Sequence, residues 1–163
     1  MGWDRHRLVA GRPCLLGGVR FEDCPVGPLG HSDGDAAAHA VVDSLLGAAA
    51  LGDIGRHFPD DDPAWAGADS LDLLARATAL VRAAGWRVGN VDLTLILERP
   101  RIAPAAERMR AALAGALGVG PEVVSVKATR GEGLGPEGRG ECVTAMAIAL
   151  LLPAARGAEG DPA

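Results

Sequence analysis

Leu71, Leu73, Leu74, Ala77, Leu80 and Val81 recur at close to helical spacing in a polar background. They predict a helix from Ser70 to about Ala84, ended by Gly85 as the glycine just past its last turn. A second helix is expected from about Asp35 to about Leu51, where Ser32 followed three residues on by Asp35 resembles a capping box. A third covers Ala105 to Leu117. Val88 to Leu97 alternates weakly and ends in an unbroken apolar run, which reads as a largely buried strand. Val123 to Ala128 reads as a further strand, and Cys14 to Phe21 as two short strands around Gly17-Gly18. Glu22 to Gly30, Leu51 to Pro63 and Thr129 to Gly140 are rich in Gly, Pro and Asp and read as loops. Cys142 to Leu152 is mostly apolar, and periodicity leaves helix and strand both open there. Strands alternating with helices predict an α+β or α/β class. Residues 1–153 are expected to form one domain, and residues 154–163 to form a frayed, flexible tail.

Composition narrows this picture. The chain has 163 residues, 48% of them apolar, which is enough for one real core. It has no tyrosine and only 3% aromatic residues, so that core must be built from Leu, Val, Ile and Ala. Alanine packs thinly, and burial between subunits is expected to supplement it. A formal charge of −5 weighs against nucleic acid or acidic membrane as the main partner. No apolar run approaches the ~20 residues of a membrane span. The first residues lack a signal-peptide apolar stretch, so the expected location is the cytoplasm. Cys14, Cys24 and Cys142 are odd in number and show no paired spacing, which fits reduced, structural thiols.

Three residues carry candidate metal chemistry. Asp4 and His6 have i, i+2 spacing, which puts both on one face of an extended strand. His39 lies where an acidic turn, His31-Ser32-Asp33-Gly34-Asp35, leads into an alanine-rich helix. One carboxylate and two imidazoles suit Zn²⁺ with a fourth position open to substrate. The spacing of Asp4 and His6 alone would be unremarked chance. Gly133 to Gly138 spells G-x-G-x-x-G, but Pro136 interrupts it and too little chain follows for a βαβ unit, which excludes a dinucleotide site.

The longer pattern resembles a known family. His31-Ser32-Asp33-Gly34-Asp35, His39, the run from Asp43 to Gly55, and Phe58-Pro59-Asp60-Asp61-Asp62 resemble 2-C-methyl-D-erythritol 2,4-cyclodiphosphate synthase. The resemblance continues through Gly67 to Ser70, Gly89 to Asp92, Pro100-Arg101, Val126 to Thr129 and Gly138 to Glu141, and so covers nearly the whole chain. It implies an α+β fold, a mixed sheet with helices on one face, and a homotrimer with active sites at subunit interfaces. The implied reaction is a phosphorus–oxygen lyase step of non-mevalonate isoprenoid synthesis. In it, the cytidine diphosphate substrate is closed to a cyclic diphosphate with release of CMP.

The resemblance also implies roles. Asp4, His6 and His39 would hold Zn²⁺, and Glu132 would stand near a second divalent ion, Mg²⁺ or Mn²⁺. His31 would lie beside the phosphates. Ser32 would contact phosphate, cap the helix, or both. Asp53, Ile54, Gly55, Phe58 and one of the three adjacent carboxylates, Asp60 before Asp62, would hold the erythritol part. Leu97 to Ala103, centred on Pro100 and Arg101, would form the cytidine-phosphate pocket, and Thr129 would also bind substrate. Arg139 and Glu141 would face a central cavity able to take an isoprenoid diphosphate. Asp33 and Asp35 are read as structural. Asp43, four residues after His39, is open between orienting a metal ligand, accepting a substrate hydroxyl, and bonding to a neighbouring strand.

Three positions depart from the family pattern. Asp4 is almost terminal, so either the start is shortened or pairing to a neighbouring strand anchors it. Arg130 stands where the family has a threonine thought to assist the transition state, and Pro136 where it has an aromatic. These departures keep two rivals in view. One is a weakened relative that only binds isoprenoid diphosphates, and the other is a zinc hydrolase of diphosphate esters.

Overall fold

The computed structural model describes residues 1–154. The tail expected from residue 154 therefore lies, beyond Ala154, outside the described residues. Among the described residues seven strands form: β1 (Gly2–Ala10), β2 (Leu15–Leu16), β3 (Val19–Arg20), β4 (Val26–Pro28), β5 (Trp86–Ile96), β6 (Val124–Thr129) and β7 (Cys142–Pro153). Five helices join them: α1 (Ala36–Ala48), α2 (Ile54–His57), α3 (Ser70–Ala83), α4 (Ala106–Leu117) and α5 (Gly135–Gly138), of which α2 and α5 are single turns. The apolar segment left open by periodicity is strand β7. Its alternating exposure, with Val143, Ala145 and Ala147 buried and Ile148 and Leu150 exposed, marks a strand with one covered face.

The main sheet runs β4-β1-β7-β5-β6, and β2-β3 form a separate hairpin. All pairings in the main sheet are antiparallel except β5 with β6, whose parallel register is bridged by α4. Helices α1, α3 and α4 share one face of the sheet, giving an α+β domain. The core lies between the layers, where Leu45, Leu46, Leu74, Val81, Leu93, Leu95, Met109, Leu113 and Leu117 are fully buried. The opposite face is left uncovered. There Trp3 is 48% exposed, Ile148 59% and Leu150 53%.

Small residues set the distance between α1 and β1. Ala36, Ala37, Ala38 and Ala40 are completely buried on α1. Opposite them, a Cβ on Gly2 would stand 2.0 Å from the Ala40 carbonyl oxygen. Alanine thus serves here as a spacer that lets strand and helix approach closely. The almost terminal Asp4 is held by pairing: β1 is bonded to β7 along Gly2–Arg7, with Asp4 opposite Ala145, and to β4 along Leu8–Ala10.

The start of α1 corrects the capping-box expectation. Asp35, and not Ser32, is the N-cap, and its carboxylate accepts the N–H groups of Ala37 and Ala38 at 3.0 and 3.1 Å. The same carboxylate accepts Gly17 N–H at 2.8 Å and Gly18 N–H at 2.7 Å. Asp35 therefore ties the β2-β3 turn to the helix start, which fixes the exit of the His31–Gly34 loop. Burial pushes the Asp35 carboxyl upward against these four N–H bonds.

Candidate metal centre and the two clefts

Strand β1 alternates, so Asp4 and His6 both point to the helical layer, where His39 projects from the first turns of α1. Asp4 Oδ2 lies 2.9 Å from His6 Nε2 and 3.1 Å from His39 Nδ1, and the two ring nitrogens are 3.2 Å apart. Among the described residues these three form a group able to hold a metal ion. The fit is close: bonds of ~2.0–2.1 Å at tetrahedral angles put donor atoms about 3.3 Å apart. His6 Nδ1 is 2.6 Å from the Leu29 carbonyl oxygen, which accepts its proton and leaves Nε2 as a lone-pair donor. That partner is a backbone atom, so no side-chain pattern announced it.

The electrostatics follow from this closeness. Burial raises the Asp4 carboxyl, but hydrogen bonds and charge from His39 and His6 outweigh it and hold it well below the usual carboxylate range. Burial lowers the His6 imidazole, and the Asp4 carboxylate overcomes that and raises it. The cluster without a cation draws a proton, as a cation site should.

The cluster opens into a cleft of about 310 Å³ lined by His31, Ser32, Ile54, Gly55, Phe58, Asp60, Trp65 and Leu73 as well as the three candidate ligands. His31 is exposed at this cleft, while Ser32 is buried with Oγ 3.1 Å from His39 Nε2. Phe58 and Trp65 meet edge to face with centroids 5.1 Å apart and make an apolar wall. Trp65 and Leu73 had no expected role. Of the expected carboxylates, Asp60 lines the cleft. Asp62 instead caps the turn at Pro63–Trp65 by accepting Ala64 N–H at 2.9 Å. Asp53 caps α2 by accepting Arg56 N–H at 3.0 Å, which presents Ile54 and Gly55 to the cleft. Asp43 accepts Ile54 N–H at 2.8 Å, so its partner is helix α2 and not a strand, and it holds α2 against α1.

A second cleft, of about 450 Å³, is lined by Leu97, Glu98, Pro100, Arg101, Ile102, Ala103, Thr129 and Arg130 among others, at the ends of β5 and β6. It shares no lining residue with the first. Arg130 is half-exposed, with Nη2 3.3 Å from Glu132 Oε1 and Nη1 3.7 Å from Glu98 Oε1. Glu132 is itself exposed and sits at a positive φ of 51° in the glycine-rich loop. Arg139 and Glu141 form an exposed pair at 2.7 Å, next to an open cleft of about 700 Å³ lined by Arg5, Arg7, Pro136 and Glu141 among others.

Fold and cluster together define an α+β domain with a candidate divalent-cation site at a cleft that has one apolar wall. The family model described as the YgbB family matches residues 1–152. The chain is 53% identical over 150 residues to the 2-C-methyl-D-erythritol 2,4-cyclodiphosphate synthase of Thermosynechococcus vestitus, covering 92% of each. It is 59% identical over 155 residues to the bifunctional enzyme IspD/IspF of Anaeromyxobacter dehalogenans, covering 95% of this chain but 40% of that protein. A solved structure of 2C-methyl-D-erythritol-2,4-cyclodiphosphate synthase in its CDP-bound form matches with a TM-score of 0.84 at 40% identity, over 93% of this chain and 97% of that one. The chain belongs to the YgbB family.

Proposed function

We propose that this protein is a phosphorus–oxygen lyase. It converts 4-diphosphocytidyl-2-C-methyl-D-erythritol 2-phosphate to 2-C-methyl-D-erythritol 2,4-cyclodiphosphate and CMP in the cytoplasm. An oxygen of the 2-phosphate bonds to the β-phosphorus of the same molecule. The bond from that phosphorus to the bridging oxygen breaks, and the bridging oxygen leaves on CMP. No water enters the product. The convergence of Asp4, His6 and His39 within 3.2 Å, beside a cleft of about 310 Å³, carries this reading.

The reaction brings two anions together, so charge neutralisation and positioning dominate. Zn²⁺ held by Asp4, His6 and His39, with Mg²⁺ or Mn²⁺ near Glu132, would supply positive charge to the phosphate oxygens. Glu132 suits the second ion because Mg²⁺ commonly takes one or two carboxylates and fills its shell with substrate phosphate and water. His31 and Ser32 offer N–H and O–H donors at the mouth of the first cleft. Ile54, Gly55, Phe58 and Asp60 receive the erythritol part, with Asp60 accepting a hydroxyl proton. Thr129, Pro100 and Arg101 line the cleft that would receive the cytidine end, and Arg130 brings a guanidinium to the diphosphate.

Two observations support a homotrimer. The uncovered sheet face exposes Trp3, Ile148 and Leu150, an apolar surface that association would bury. Neither cleft alone holds all the parts, and subunits packed around a three-fold axis would join the first cleft of one to the second of its neighbour. An isoprenoid diphosphate would then meet Arg139 in the central cavity.

The test is turnover of the purified protein loaded with Zn²⁺ and Mg²⁺, followed by phosphorus NMR. Stoichiometric CMP and cyclic diphosphate are expected. Absence of CMP overturns the proposal, and a linear product carrying solvent oxygen replaces it with hydrolysis. Light scattering is expected to give three times the chain mass.

A further inference from the structure

His39 has two ring nitrogens, and only Nδ1 faces Asp4 and His6. Its other nitrogen, Nε2, lies 2.9 Å from Ser70 Oγ and 3.1 Å from Ser32 Oγ. Ser70 begins α3, on a different element from every candidate ligand, and is completely buried. Its hydroxyl also makes a short contact with Asp33 Oδ1, while its backbone N–H donates to Asp33 Oδ2 at 2.9 Å. Asp33 Oδ1 accepts the N–H of Asp35 as well, at 3.1 Å. The Asp33 carboxylate is therefore an acceptor toward Ser70 at both oxygens.

A serine hydroxyl has one proton. Here the carboxylate claims it, because a charge-assisted bond is the stronger of the two on offer. Ser70 Oγ can then only accept from the imidazole, which places the His39 proton on Nε2. The remaining lone pair is on Nδ1, directed at Asp4 and His6. Ser32 Oγ accepts Gly34 N–H at 3.3 Å and also approaches His39 Nε2, at 3.1 Å, but no carboxylate commits its proton. Ser32 can support the ring and still donate to a phosphate.

We propose that Ser70 is a positioning residue for the cation site: its hydroxyl, oriented by Asp33, accepts the Nε2–H of His39 and presents His39 Nδ1 to the metal. The relay passes from α3 through a buried hydroxyl to α1, so the Gly67–Ser70 turn helps to set the geometry of a ligand thirty-one residues earlier in the chain. The proposal rests on the metal reading of the cluster and not on the reaction it serves.

Zinc affinity, measured by competition with a chromophoric chelator, tests it. Ser70→Ala is expected to weaken Zn²⁺ binding ~10–100-fold, while the far-ultraviolet dichroism and melting of the metal-free protein stay as in the parent. Nitrogen-15 spectra of the zinc-loaded parent are expected to show a slowly exchanging His39 Nε2–H, and Ser70→Ala to lose that protection. Asp33→Asn keeps an acceptor for the Ser70 proton without its charge, so a smaller loss of affinity is expected. It also carries the test if Ser70→Ala does not fold. Parent-like zinc affinity and an unchanged imidazole signal in the variants overturn the relay. A parent that binds no zinc overturns the relay and the metal reading together. A parent that binds zinc but releases no CMP overturns only the proposed reaction.

Discussion

His6 Nε2 and His39 Nδ1 face each other at 3.2 Å, with the Asp4 carboxylate within 3.1 Å of both. Two neutral imidazoles that turn lone pairs on one another gain nothing from it unless a cation sits between them. The cluster is therefore expected to bind one zinc per chain. Asp4→Ala, His6→Ala and His39→Ala should each lower zinc affinity and CMP release by ~10²-fold or more, since losing a ligand exceeds the cost of losing its support. Chelator treatment should abolish turnover and added zinc restore it. Metal analysis of each variant beside the CMP assay checks the set.

Without metal, the same cluster should shape stability against pH. The folded His6 value lies above its ordinary 6.5, so its contribution is complete below about pH 6.5 and is lost as pH rises through the raised value. The folded Asp4 value lies below its ordinary 3.8, so its contribution is complete above that and is lost as pH falls toward the lowered value. Denaturant midpoints of chelated protein should therefore be highest between about pH 4 and 6.5 as far as this pair is concerned. Asp4→Asn should flatten the decline on the alkaline side. An identical decline in parent and variant would assign it to other groups.

Arg130 stands beside Glu132 at 3.3 Å and half in solvent. A guanidinium there repels a second divalent cation. Arg130→Thr is expected to reduce the Mg²⁺ concentration for half-maximal rate about threefold, the worth of one screened charge near solvent. A magnesium titration of CMP release at saturating zinc reads this directly. A large fall in kcat at unchanged magnesium dependence would mean that the guanidinium acts on the substrate diphosphate alone and leaves the cation untouched.

The sequence made α3 legible because its apolar positions repeat with the helix period, and the metal ligands because Asp4 and His6 share one strand face. β7 was ambiguous since its buried side is Val143, Ala145 and Ala147 and its open side is Ile148 and Leu150, so both faces read as apolar. Ser70 was visible only within the Gly67–Ser70 resemblance, since a serine at a helix start ordinarily signals local capping. Leu29 and Gly2 act through a carbonyl oxygen and a missing side chain, and neither leaves a residue-type signature. Ser32 and Asp35 were both expected at a helix start. Asp35 takes the capping role expected of Ser32, and its further N–H partners exist only once the β2-β3 turn has folded against it.

Cys14 is almost fully buried, and burial together with the neighbouring Cys24 thiol pushes its own up to about 12. At pH 8 its thiolate fraction is then on the order of 10⁻⁴, since each unit below the pKa is tenfold. Iodoacetamide should leave Cys14 unmodified in the folded protein over times that label it completely in denaturant. Peptide mass mapping of native and unfolded samples checks this. Rapid native labelling would mean that the β2-β3 hairpin opens readily.

Gly2 joins packing to the metal centre. A methyl group there would meet the Ala40 carbonyl oxygen at 2.0 Å, Ser44 N at 2.6 Å and Asp43 Cβ at 2.9 Å. Most of these atoms belong to the backbone of α1 and cannot rotate away, so β1 and α1 must separate. Gly2→Ala is expected to cost ~1–3 kcal/mol, the usual range for overpacking a filled core. It should lower the melting temperature by several degrees, at ~2–4 °C per kcal/mol for a domain of this size. Because Asp4 and His6 ride on β1 and His39 on α1, the same separation should weaken zinc binding about tenfold with every ligand present. Calorimetric melting of the metal-free variant and chelator competition together check the coupling. A lower melting point with parent-like zinc affinity would show that the strand yields only at its first residue and that the ligand spacing is set further along β1.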